Sequence, residues 1–107
     1  MGFKLQTGPM TAEATVKVHH PVDGETSFKA QFLILKHSEY QKLIESKKDD
    51  VDVIQKIVTG WSEVQNDDGN EVPFSKDTLR QLCEYVFVRT AIMRAYTDLH
   101  VGFTAKN

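Results

Sequence analysis

Only one residue in 107 is cysteine, Cys83, so no disulfide can close within the chain and stability must come from buried apolar surface. A lone thiol fits a reducing compartment. Long apolar runs are also missing. The longest is Phe32-Leu33-Ile34-Leu35, far below the roughly 20 residues that cross a bilayer. No apolar leader opens the chain, so neither a membrane-spanning nor a secreted protein is expected. Charge of one sign is not in excess. The 13 Lys and Arg stand against 15 Asp and Glu, a net charge of −2 without a basic block, which argues against nucleic acid as a partner.

The chemistry-bearing patterns are equally sparse. No glycine-rich phosphate loop occurs. The adjacent His19 and His20 point to opposite faces of a strand and do not readily share a metal. Asn66-Asp67-Asp68-Gly69 superficially resembles a calcium loop, but an EF-hand placed on Gly69 would put Val64 and Ser75 at its first and last ligand positions. Cys83 lies on an apolar stripe with Leu79, Leu82 and Val86, the setting of a packed thiol rather than a nucleophile. The expectation is a protein with no catalytic, cofactor or metal site.

What is present is periodicity. Ala12, Ala14, Val16 and Val18 alternate with Glu13, Thr15, Lys17 and His19, the two-residue period of a half-buried strand. Pro21-Val22-Asp23-Gly24 supplies a turn. A second strand follows from about Thr26 to Leu35, with Phe28, Ala30, Phe32 and Ile34 on one side. On its other side Leu33 and Leu35 replace Lys29 and Gln31, which predicts cover on both faces of its second half. Two strands alone are marginal, so helices or another chain must pack on them.

Four helix signals come next. Ser38 and Gln41 have the spacing of a capping box, with Tyr40, Leu43 and Ile44 as the buried stripe of a helix fading in Ser46-Lys47-Lys48. Asp49 or Asp50 caps a second helix carrying Val51, Ile54, Ile57 and Val58, which Gly60 would end in a left-handed conformation. Trp61 then lies over the helical core or meets a partner. Asn66 to Asn70 form a turn between Val64 and Val72. Phe74, Ser75 and Leu79 have the spacing of a hydrophobic staple around an N-cap, with Asp77 near the helix start. Further on, Val88, Ile92, Ala95, Tyr96 and Leu99 form a new stripe. Either one long helix rotates its contacts or, as the slip in periodicity favours, a break near Phe87 or Val88 starts a new helix close to Thr90.

The expected fold is α+β, an N-terminal two-stranded antiparallel hairpin packed with about four short α-helices. Residues 1–11 read as a flexible arm, 12–101 as one domain and 102–107 as a frayed tail.

The ordered segment Ile54-Gln55-Lys56-Ile57-Val58-Thr59-Gly60-Trp61 is followed by Val64, Asp68-Gly69, Val72-Pro73-Phe74-Ser75 and Leu79-x-x-Leu82. Val88-Arg89-Thr90-Ala91-Ile92 and Ala95-Tyr96 complete it. In this order and spacing, over about residues 26–99, the chain resembles the tail assembly chaperones of long-tailed bacteriophages and prophages. The resemblance implies a non-enzymatic protein of the host bacterial cytoplasm. It would bind the largely helical tape measure protein, keep it soluble until tail tube protein polymerises around it, and then be released. It further implies a relation to tail tube protein through an extended frameshift product, and it leaves room for a homo-oligomer. The alternative is a structural tail completion protein retained in the particle.

For such a role Phe28, Phe32, Tyr40, Phe87, Met93 and Tyr96 are the candidate partner-binding residues. Gly60, Trp61, Pro73, Phe74 and Ser75 are the candidates for organising the fold. The segment from Ala12 to His20 is open to three readings: a family strand, a dimer contact or partner surface.

Overall fold

The computed structural model describes residues 2–5, 7–46 and 49–102. The chain is α+β, with the expected N-terminal hairpin and four helices, but its sheet has three strands. Strand β1 (Met10–His20) pairs antiparallel with β2 (Gly24–Ile34), in a register running from Met10 opposite Ile34 to His20 opposite Gly24. The turn between them needs Gly24, whose φ is +77°. It is also held by a side chain, because His20 Nδ1 accepts hydrogen bonds from the amides of Val22 (3.1 Å) and Asp23 (3.0 Å). Ala14, Val16 and Val18 of β1 and Phe28, Ala30 and Phe32 of β2 are buried on one face. Glu13, Thr15, Lys17, Lys29 and Gln31 are exposed on the other. Leu33 and Leu35, on that second face, are half-buried, so the second half of the strand is partly covered there.

Helix α1 (His37–Ser46) starts one residue before Ser38. Its first turn closes on Lys36, whose carbonyl accepts from Tyr40 N at 2.9 Å and whose amide donates to Glu39 Oε1 at 3.1 Å. Glu39 therefore makes the reciprocal bond of a capping box, displacing the expected Ser38–Gln41 pair. Lys47 and Lys48, where this helix was expected to fade, lie outside the described residues.

Helix α2 (Asp50–Ile57) is capped by Asp49, whose side chain accepts from Asp52 N at 3.2 Å. It ends at Ile57, not at Gly60. Val58 has φ −93° and ψ 120°, already extended, and opens strand β3 (Val58–Ser62). This strand pairs with β2, placing Gly60 opposite Gln31 and Trp61 opposite Ala30, with a register irregularity at Gln31/Phe32. The left-handed glycine is thus corrected, while Trp61 packs against the core as one of its two readings has it. Val58 and Thr59 are β-branched and suit a pleated surface, and the free edge of β2 offers them hydrogen-bond partners that a longer helix would forgo.

Helix α3 (Lys76–Leu82) begins as the local pattern predicts, with Ser75 Oγ accepting from Thr78 N at 3.0 Å and Leu79 buried. Lys76 ties its start to the end of α2, donating to the carbonyls of Val58 (2.9 Å) and Gln55. Helix α4 (Val86–Val101) follows after a break at Cys83 to Tyr85 and starts four residues before Thr90, where the periodicity placed it. Leu82 O accepts from Tyr85 N, and Tyr85 is extended, so Val86 turns outward and does not continue the stripe of Leu79 and Cys83.

Val88, Ala91, Ile92, Ala95 and Tyr96 of α4 join Val53, Ile54 and Ile57 of α2 over the apolar face of the sheet. Helix α4 packs mainly on β1, while α2 packs on β2 and β3. One connected core thus links both ends of the chain. Gly102, with φ +78°, caps α4; residues 103–107 of the expected frayed tail lie outside the described residues.

Candidate functional site

The six residues named as candidate partner contacts divide sharply. Phe32 is 0% and Tyr96 1% exposed, and Phe28 is also buried. All three are corrections: even-numbered positions of β2 face the helices, and Tyr96 sits on the inner stripe of α4, so the core consumes the surface they would offer a partner. Tyr40, Phe87 and Met93 are half-buried and packed against the core. Burial raises the pKa of the Tyr40 hydroxyl, and the Asp50 carboxylate adds to the shift.

Tyr96 instead ties elements together. Its hydroxyl donates to Leu33 O at 3.0 Å and accepts from Leu35 N at 3.2 Å, fastening the end of β2 to α4. Its ring lies 5.4 Å from that of Phe32 and 4.5 Å from that of His100. The fold-organising candidates gather around Trp61. Its Nε1 donates to Val72 O at 2.8 Å, and its ring meets Phe74 edge-on at 5.0 Å and Phe28 at 6.4 Å. Pro73 stands between Val72 and Phe74, Ser75 caps α3, and Gly60 precedes Trp61 in β3.

Exposed apolar side chains lie elsewhere: Phe3, Leu5, Met10, Ile44 and Val101 are exposed singly along the chain, and a further group lies where the β1–β2 turn meets the α3–α4 junction. Val22 is 85%, Tyr85 60% and Val86 62% exposed. Aromatic contacts link these positions: His20 packs edge-on against Phe87 at 5.2 Å, and Tyr85 lies 5.4 Å from Phe87. His20 also holds the amide of Val22, so turn and helix start share one set of contacts. Of this group only Phe87 was singled out from sequence. Val22 carried a usable signal, an apolar side chain at the tip of a turn of polar and special residues. Tyr85 and Val86 did not, because their exposure depends on where α3 breaks.

Nucleophilic chemistry has no footing at the one cysteine. Cys83 is buried, and burial pushes its thiol up to about 11, outweighing the opposing pull of the Arg89 and Arg80 guanidiniums. Among the described residues no three His, Cys, Asp or Glu side chains gather as a metal-binding group, and no helix is long and apolar enough to cross a membrane.

Comparison with protein-family models, with curated proteins and with solved structures finds no match.

Proposed function

We propose that the protein is a phage tail assembly chaperone. It binds tape measure protein through exposed apolar surface, keeps it soluble, and helps recruit tail tube protein during assembly. Two things support the reading: the ordered resemblance across about residues 26–99, and the surface patch of Val22, Tyr85 and Val86 around Phe87. The patch carries most weight, because side chains of this kind gain by covering apolar surface on another protein, whereas a catalyst needs convergent polar groups. A helix with leucine-rich stripes is a suitable client, since its apolar face can lie against such a patch.

The test is co-expression with the tape measure protein of the same phage, reading client solubility and complex size. Wild-type chain should raise the soluble fraction and co-purify with the client during assembly but be missing from finished tails. A Tyr85→Ser, Val86→Ser double variant changes exposed positions, so it should melt within a few degrees of wild type while losing this activity. A well-folded wild-type protein that neither associates with the client nor solubilises it refutes the proposal. Recovery from mature particles would point to the structural tail component instead.

A further inference from the structure

The two edges of the sheet differ. At one edge β3 is five residues long, its pairing with β2 slips at Gln31/Phe32, and the chain turns away at Glu63, whose φ is +67°. A short, irregular edge of this kind resists pairing with another strand. The other edge is β1, eleven residues long and in continuous register with β2 from end to end. It contains no proline and no bulge, and no charge points inward, since Ala14, Val16 and Val18 fill its buried face. Among the described residues β2 is its one strand neighbour, so the outer row of N–H and C=O groups joins no ladder. Glu13 and Lys17, both exposed on β1, form no ion pair within the chain among the described residues.

We propose that β1 pairs antiparallel with β1 of a second copy of this chain, about a twofold axis at Thr15, joining the two sheets edge to edge. Charge complementarity selects both the partner and the register. With Thr15 opposite its twin, Glu13 of each protomer stands opposite Lys17 of the other, so two opposite-charge pairs flank a threonine pair on the exposed face. On the other face Ala14 meets Val16 and Ala12 meets Val18, which carries the buried apolar layer across the axis. A slip of one residue would set apolar side chains opposite polar ones. A slip of two would set Glu13 opposite Thr15 or His19 and lose both charge pairs.

The N-terminal arm points the same way. Phe3 and Leu5 are exposed, and the exposed Val22 of their own chain lies beyond the far end of β1. From Met10 to His20 the strand runs about 34 Å, whereas the arm from Phe3 to Met10 spans at most about 25 Å. In the paired register Met10 stands opposite the His20 of its partner, where the partner's turn begins. Each arm then starts beside an apolar side chain that its own chain sets out of reach. None of this depends on what the client of the protein is.

Sedimentation equilibrium of the full chain should show a concentration-dependent dimer. Glu13→Lys and, separately, Lys17→Glu set like charges opposite each other twice and should weaken it about 10-fold or more. Both change exposed side chains, and circular dichroism checks that each variant folds. An equimolar mixture of the two variants should regain wild-type affinity, because a chain with Lys at both positions then faces one with Glu at both. Nitroxide labels on Thr11→Cys should lie about 27 Å apart, the eight-residue offset that this register sets. Wild type treated with the same label is the blank for buried Cys83. A wild-type chain that stays monomeric up to its solubility limit, a dimer indifferent to both charge reversals, a mixture no tighter than its components, or labels at a clearly different separation overturns the proposal. A dimer that meets every one of these expectations yet fails to solubilise tape measure protein would refute the functional reading and leave this one standing.

Discussion

Replacing Tyr96 by Phe tests whether the hydroxyl that joins α4 to the end of β2 is a structural tie. The ring, and with it the contacts to Phe32 and His100, is retained. What disappears is an acceptor for Leu35 N and a donor to Leu33 O, at a residue only 1% exposed. A net intramolecular hydrogen bond contributes about 1 kcal/mol, and a buried donor left without an acceptor costs about 1–3 kcal/mol, so the loss should be about 2 kcal/mol. For a domain of this size that corresponds to a fall in Tm of roughly 10 °C.

The hydroxyl also gives the effect a pH signature. Burial raises the Tyr96 pKa in the folded chain; its hydrogen bond from Leu35 N works the other way, and Tyr40 adds to the rise. An acid whose folded pKa is raised favours its neutral form in the native state. Its stabilisation is complete below the ordinary tyrosine value of about 10 and is lost as pH climbs from there through the raised value. Thermal melts followed by circular dichroism should show wild type well above Tyr96→Phe at neutral pH, with the gap closing above pH about 10. A difference below about 2 °C at neutral pH, or one that persists unchanged at alkaline pH, would refute the tie.

Gly60→Ala separates the observed strand from the expected helix cap. A Cβ on Gly60 would meet nothing closer than Gln31 Cβ at 3.9 Å, and its φ is not positive, so chemical denaturation should place the variant within about 0.5 kcal/mol of wild type. A loss of about 1 kcal/mol would instead indicate a left-handed position. Cys83, with its thiol pushed up to about 11, should resist alkylation by iodoacetamide at pH 8 in the native state and react once the chain is unfolded in guanidinium. Equal native and unfolded rates would refute the burial that sets its chemistry.

Several local signals survived where their partners were close in sequence, although the Ser38–Gln41 box gave way to Lys36 and Glu39. The alternation in β1 and β2, the turn ending at Gly24, the Asp49 cap and the Ser75 cap each use contacts within a few residues, so their patterns were readable. Strand β3 was not readable, because Val58-Thr59-Gly60-Trp61 continues the helical spacing of Ile54 and Ile57. Its strand character depends on β2, about 30 residues earlier. The break before α4 was misplaced because Val86 matches the stripe of Leu79 and Leu82 in spacing while the chain turns out at Tyr85. That one displacement moved Val86 from the presumed interior to the exposed surface.

The amino-acid sequence by itself determined the fold class, the N-terminal hairpin and the helix starts at Asp49 and Ser75, since side-chain periodicity and capping act over a few residues. The tertiary structure alone decided which aromatic residues remain available to another protein. Burial is a property of both surfaces in a contact: α4 covers β1, Tyr96 reaches back to Leu33, and β3 takes the edge of β2. Phe32 and Tyr96 are spent inside as a result, while Val22, Tyr85 and Val86 are among the apolar side chains left exposed.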